Sequence, residues 1–245
     1  MRRLALCCLL PLALNQPVAA DNGAIAHAVR AGTITIDGRL GDWPAAARFQ
    51  PIQRLQNGQL HPGDTGLDAR WRAAWTAEAV YIAVEISDDA HRVAEDPEFS
   101  WNQQDGVIVY LDRNHSTRGS GAALYWVGGQ NRRMLSDSGH WDPDVVAAGV
   151  DDFEVAVVHD DGRTIYEWKL LAAAPLRAGR TLGVDLLVSD ADAEAMDAGG
   201  RLLVWGPGYG KSQGGGRIGD LLLLDDTATL GTVAGSVALA MDADD

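Results

Sequence analysis

The stretch that most restricts the fold runs from Ser100 to Asp112, SWNQQDGVIVYLD. Within it Val107, Val109 and Leu111 alternate with Ile108 and Tyr110, the period of two expected of a pleated strand. Both faces are largely apolar, so this strand belongs inside a layered structure and not at its rim. Trp101 stands just ahead of it in a polar, turn-prone setting. A flat ring held at the end of a rigid sheet either plugs the core or forms a stacking platform. Spacing alone favours the plug.

The same period recurs along the chain. Ala69 to Thr76 pairs naturally with Ala79 to Ile86 across Thr76-Ala77-Glu78, a connection short enough for a hairpin. In the second run Val80, Ile82, Val84 and Ile86 face one way, and Tyr81, Ala83 and Glu85 the other. Phe153 to His159 and Thr164 to Leu170 form another hairpin, turned by Asp160-Asp161-Gly162. Short strands are expected at Thr33 to Ile36, Ala122 to Val127, Arg132 to Leu135, Arg201 to Trp205 and Arg217 to Leu224. Thr181 to Ser189 reads as a buried strand, with Val184, Leu186 and Val188 on one face. Asp21 to Ala31 carries no clear signal, and Gln50 to Asp68 reads as a loop. Between Gly206 and Gly219 lies a second loop with glycine at 206, 208, 210, 214, 215, 216 and 219. Its length points to a functional or a disordered segment. No internal repeat is present. Together these elements predict an all-β chain folded as a two-sheet antiparallel β-sandwich, jelly-roll-like in layout.

Residues 1–20 read as a signal peptide. Arg2 and Arg3 precede an apolar run from Leu4 to Leu14, and Val18-Ala19-Ala20 offers small residues for cleavage before Asp21. Both cysteines, Cys7 and Cys8, fall inside this leader. A large residue, Leu6, stands where a lipoprotein signal wants a small one, so the expectation is a soluble secreted or periplasmic protein. The rest of the chain then has neither disulfide nor thiolate, and its stability must come from an apolar core. The sandwich is expected over 21–224, with 225–245 a tail or one further strand through Val237, Leu239 and Met241. Asp and Glu number 34 against 20 Lys and Arg, a net charge of −14. An acidic surface of this kind repels nucleic acid and anionic lipid. After the leader no apolar run is long enough to span a membrane. Neutral glycans, cations and basic proteins remain as partners.

Several motifs resemble the family 9 carbohydrate-binding modules, part of the wider DOMON-like group of β-sandwiches. Ile36-Asp37-Gly38 followed five residues later by Trp43 resembles their opening signature, in which the Trp covers one edge of the sandwich. Burial statistics likewise make Trp43 a core residue. Trp75 through Tyr81 to Asp88-Asp89 resembles the Trp-x-x-x-x-Leu-Tyr-Val-x-Val-x-Val-x-Asp pattern. Trp101-x-x-x-Asp105-x-Val107, Glu167 before Trp168 with Pro175-Leu176, and Asp190-Ala191-Asp192 continue it in order, so the resemblance spans Ile34 to Leu224. It implies a non-catalytic module that stacks a terminal sugar between two aromatic rings. Trp101 matches the first ring. In the 206–219 loop the only aromatic residue is Tyr209, which takes the second place, with Lys211 and Gln213 the nearest donors. Tyr125 matches a polar position on the strand after the central one, although Ala123 and Tyr125 replace the family's Gln and Arg. The family's Glu is also replaced, by Ile108, which accepts no hydroxyl hydrogen bond. Sugar affinity is therefore expected to be weak, with a Kd around millimolar, or about −4 kcal/mol.

Other chemistries find less support. Gly210-Lys211-Ser212 is not a phosphate loop, since position 205 is Trp and no helix follows. The six histidines, at 27, 61, 91, 115, 140 and 159, show no metal-ligand spacing. Gly119-Ser120-Gly121 is not a nucleophile elbow, and no pair of carboxylates stands out as a glycosidase couple. No cofactor is expected except a structural calcium ion at Asp190 and Asp192, in an acidic segment that also reads as solvated surface. Two further readings come with the fold. One is a DOMON-like haem b domain using Met134 with His140, or Met196; Met134 as core filler is the simpler account. The other is a sandwich retained only for protein interaction, which fits the replacements at Ile108 and Ala123.

Overall fold

A computed structural model describes residues 22–57, 66–93, 104–113, 115, 153–191, 201–211 and 217–225, with the backbone of 123–128 and 133–136. Apart from one 3-10 turn at Leu40–Asp42, the regular elements among these residues are strands. In chain order they are β1 (Ile25–Arg30), β2 (Gln50–Pro51), β3 (Arg54–Asn57), β4 (Asp68–Trp75), β5 (Ala79–Ser87), β6 (Gly106–Asp112) and β7 (Ala123–Gly128). There follow β8 (Arg133–Ser136), β9 (Phe153–Asp160), β10 (Arg163–Leu171), β11 (Thr181–Asp190), β12 (Arg201–Val204) and β13 (Gly219–Leu224). No helix among the described residues is long and apolar enough to cross a membrane.

The ladder runs β8-β7-β6-β11-β13-β1-β4-β5-β10-β9, with β12 and then β3 attached to β11, and β2 attached to β4. It folds over at β1, so β6, β11 and β13 face β4, β5 and β10 across one core. Val107, Val109, Leu111, Val184, Leu186, Val188, Leu221 and Leu223 supply one side of that core. Trp71, Trp75, Val80, Ile82, Val84, Tyr166, Trp168 and Leu170 supply the other. Two tryptophans join the layers. Trp71 meets Trp205 edge-on at 4.9 Å between ring centroids, and Trp75 Nε1 donates to the Leu224 carbonyl at 2.9 Å. The expected β-sandwich is thus present, with one departure from antiparallel pairing. β1 runs parallel to both neighbours, with Ala26 opposite Leu221 and Ala28 opposite Ala73.

Most of the strands expected from alternation are in place. Thr76 turns the β4–β5 hairpin, its Oγ1 accepting from the amides of Glu78 and Ala79. Asp161 and Gly162 turn β9 into β10 with φ of 47° and 70°. Two positive angles are what a two-residue hairpin demands, and Gly supplies one of them without steric cost. Sequence reasoning missed β1, β2 and β3. It also placed a strand at Thr33 to Ile36, where the backbone has no ladder partner. Ile34 is buried there with Trp43, Tyr81 and Val29 in a second apolar cluster on the outer face of β1 and β5. The Thr35 amide donates to Asp42 Oδ2 instead of to another strand. Alternation in this segment reports burial on one side without a sheet.

That covering segment is pinned by one carboxylate. Glu167, fully buried, accepts from the Asp37 and Gly38 amides at 3.0 and 2.8 Å and from Trp43 Nε1 at 2.7 Å. Burial raises the Glu167 carboxyl above its usual range, and these donors hold it down. Trp43 is buried in that second cluster with Arg72 4.8 Å over its ring, so it is a core residue, as expected. Glu167→Ala strands three donors at once. It should cost about 3 kcal/mol, which urea unfolding would report. The corresponding fall in Tm is roughly 6–12 °C for a domain of this size.

Candidate functional site

The outer face of the β6–β11 pair is built by the residues that alternate with the core set. Register puts Ile108 opposite Leu187, and Tyr110 opposite Asp185. All four are buried. Burial raises the Tyr110 hydroxyl well above its usual range, and the Asp185 charge adds to the shift.

Onto this face folds the start of the glycine-rich loop. Asp185 is the post to which it is tied. Its Oδ1 accepts from the Leu186 and Gly206 amides at 2.8 and 3.0 Å. Its Oδ2 accepts from Lys211 Nζ at 2.6 Å and from Asn22 Nδ2 at 3.0 Å. Lys211 donates further to the carbonyls of Gly206 at 2.8 Å and Pro207 at 3.3 Å. Burial raises the Asp185 carboxyl and lowers the Lys211 ammonium, and each group opposes the shift of the other.

Tyr209 sits at the tip, 69% exposed, between Gly208 and Gly210 with φ of 93° and 69°. Both glycines are in the left-handed region, which most side chains would strain to adopt. The Tyr209 carbonyl accepts from Arg217 Nη1 at 3.2 Å. The Tyr209 ring is thus exposed on a turn with hydrogen bonds to either side of it.

The other expected site residues divide. Lys211 is 2% exposed, and its three donors are spent on Asp185, Gly206 and Pro207, so it is not a donor to ligand. Tyr125 lies opposite Val109; its position therefore shares the register of the core face and not that of Ile108. Trp101 and Gln213 lie outside the described residues. The strand that Trp101 precedes starts with Gly106 opposite Ser189. The loop of Tyr209 leaves β12 after Val204, opposite Leu187, and enters β13 at Gly219, opposite Val184. These roots belong to one sheet and are offset along β11 by about 7–16 Å at 3.3 Å per residue. Of the haem candidates, Met134 lies on β8 opposite position 126; His140 and Met196 lie outside the described residues.

A second polar cluster lies where the core faces of β5, β6 and β11 run out. Asp88, Asp105 and Asp190 each offer a carboxylate oxygen there, all within 4.8 Å of one another. Asp105 accepts from the Arg92 amide at 2.6 Å and the Ala191 amide at 3.0 Å. Asp190 is buried and paired with Arg201, so it is not solvated surface. Asp192, its expected partner, lies outside the described residues. Sequence reasoning gave Asp88 and Asp105 no weight as ligands, because three acids at wide spacing meet only through strand pairing. A small cavity of about 10 Å³ adjoins them, lined also by His91, Thr164 and Tyr166.

Fold and site together define a β-sandwich binding module with a built loop beside the outer face of one layer. The family model described as "Carbohydrate family 9 binding domain-like" matches residues 36–212, and the chain belongs to that family. Two solved structures of a family 9 module from Caldicellulosiruptor kristjanssonii resemble it, each with 16% identity and TM-score 0.62. The complex with cellotriose covers 89% of this chain and 100% of its own. The complex with glucose covers 83% and 97%. A candidate carbohydrate-binding protein from Bacteroides uniformis aligns at 12% identity and TM-score 0.55, covering 81% and 98%. At these identities the likeness shows the fold. No curated protein matches significantly.

Ile108→Glu, which restores the carboxylate type of the family's ligand-binding members, would bury an unpaired charge at a position 1% exposed. It should destabilise the protein by about 3–5 kcal/mol near neutral pH. The folded-state pKa of the new carboxyl would be raised by burial. In thermal melts the deficit should therefore shrink as pH falls and the group is protonated.

Proposed function

We propose that this chain is a secreted or periplasmic, non-catalytic carbohydrate-binding module that stacks a sugar on aromatic side chains. Tyr209 is the observation that carries the reading: a large ring, exposed, on a turn tied to buried groups beside the outer face. An aromatic face covers the axial C–H groups of a pyranose, and a pre-formed surface loses little entropy on binding. Trp101 is the second ring of this reading, and family membership supports both the partner class and the absence of catalysis. The related module from Caldicellulosiruptor kristjanssonii is described in complex with cellotriose and with glucose, so β-linked glucose oligomers are the ligands to test first. Because Ile108 replaces the family's carboxylate and Lys211 is committed to Asp185, few polar anchors remain and affinity is low. Titration calorimetry with cellotriose should give a Kd of about 1 mM, abolished by Tyr209→Ala and by Trp101→Ala. Absence of heat with any soluble glucan, xylan or mannan oligosaccharide overturns the reading.

A structural calcium ion belongs to the same proposal. Three carboxylates within 4.8 Å of one another suit a hard cation, whose oxygen ligands stand 2.3–2.6 Å from it. The adjoining space is about the volume that holds one small species. Asp88, Asp105 and Asp190 would hold the ion and close one end of the sandwich. At calcium about a hundredfold above its Kd, the stability gain is about 2.7 kcal/mol. A rise in Tm on adding calcium, reversed by chelator and lost in Asp88→Asn, is the expected outcome; an unchanged melt removes the ion from the proposal.

A further inference from the structure

We propose that Asp185, acting through Lys211 and Asn22, is the positioning device that presents Tyr209, and that ligand affinity is set by this tie as much as by the ring. The inference rests on the sugar-binding reading and deepens it.

The Asp185 carboxylate is completely buried and accepts four hydrogen bonds, from Leu186, Gly206, Lys211 and Asn22. Three of the four come from outside its own strand, and two of these belong to the loop that carries Tyr209. Lys211 closes the loop on itself. It lies two residues beyond Tyr209 and bonds the carbonyls of residues 206 and 207 on the near side. Asn22 adds a strut from the segment ahead of β1, its Nδ2 also reaching the carbonyls of Pro207 at 3.2 Å and Arg217 at 3.1 Å. Residues on both sides of Tyr209 are thus gathered at one buried carboxylate and its partners.

A buried ion pair of this kind adds little net stability, because desolvation offsets the attraction. What it fixes is geometry. The glycines on either side of Tyr209 leave the turn many alternatives in the unfolded chain, and rigid presentation requires something to select one. Gly206 shows how closely the parts fit: a Cβ there would lie 2.5 Å from Asn22 Nδ2 and 2.6 Å from Asp185 Oδ2.

The test is cellotriose titration of Lys211→Met and Asn22→Ala against wild type, with 3-fluorotyrosine NMR of the full chain as a second readout. Lys211→Met should weaken cellotriose binding on the order of five- to tenfold in the wild-type background. The Tyr209 fluorine signal, assigned with Tyr209→Phe, should be single and sharp in wild type and broadened or split in Lys211→Met. Should Lys211→Met fail to fold, Asn22→Ala removes one strut at a half-exposed position and should shift affinity and signal in the same direction. A wild-type protein that binds no sugar overturns the functional reading and this inference with it. Binding that is lost in Tyr209→Ala but unchanged in Lys211→Met and Asn22→Ala, with the fluorine signal still sharp, overturns the inference alone.

Discussion

Everything in the sandwich depends on β1, the strand at which the two layers meet. It is short and carries small residues, Ala26 and Ala28, toward the core. Because it pairs in parallel with β13 on one side and β4 on the other, one ladder turns over and buries its own inner face. Small side chains are what such a fold-over permits. The large rings of Trp71, Trp75 and Trp205 occupy the space beside it, and larger residues on β1 would compete with them for a volume already close-packed.

With no cysteine outside residues 1–20, the segments that leave the sheet are held by buried carboxylates. Glu167 holds residues 37–43. Asp185 holds the turn at 206–211 together with Asn22. Asp105 holds Arg92 and Ala191, and Asp220 meets His115 at 2.6 Å. Glu167, Asp185 and Asp220 lie on strands and Asp105 immediately precedes one, and each accepts from backbone amides or side chains of a neighbouring segment. Hydrogen bonds to an ionised acceptor are stronger than neutral ones, and a carboxylate has enough acceptor sites to satisfy several donors. The acidic composition is therefore partly architectural and does not describe the surface alone.

This division explains what the sequence made legible. Strands whose apolar residues alternate and are large, such as β5, β6 and β11, are evident from period two alone. The Asp161-Gly162 turn is evident because few other pairs adopt two positive φ angles. β1 escapes because Ala, His and Arg give no hydrophobic contrast, although Ala26 and Ala28 are completely buried. The segment at Thr33 to Ile36 misleads for the opposite reason: its alternation is real but its partner is a cluster of side chains. Lys211 is the instructive error at the site. A lysine in a glycine-rich loop reads as an exposed donor, and only the strand register reveals a buried carboxylate beneath it. Asp88 and Asp105 were likewise invisible as neighbours of Asp190, since only the β5, β6 and β11 strand ends bring them together.

The outer face then has a coherent logic. Ile108 accepts no hydrogen bond and Asp185 is fully occupied, so on the proposed reading these positions would offer a sugar almost no hydrogen bonding. What remains available is carried by the loop. A stacking surface discriminates poorly between hydroxyl patterns, because each sugar has C–H groups to cover and few polar partners are left to be mismatched. Affinity in such a site would rise chiefly by reducing the entropy lost on binding, and a turn tied to a buried post would do this without adding a contact. On the proposed sugar-binding reading, rigidity of the loop takes over part of the role that polar anchors would otherwise have.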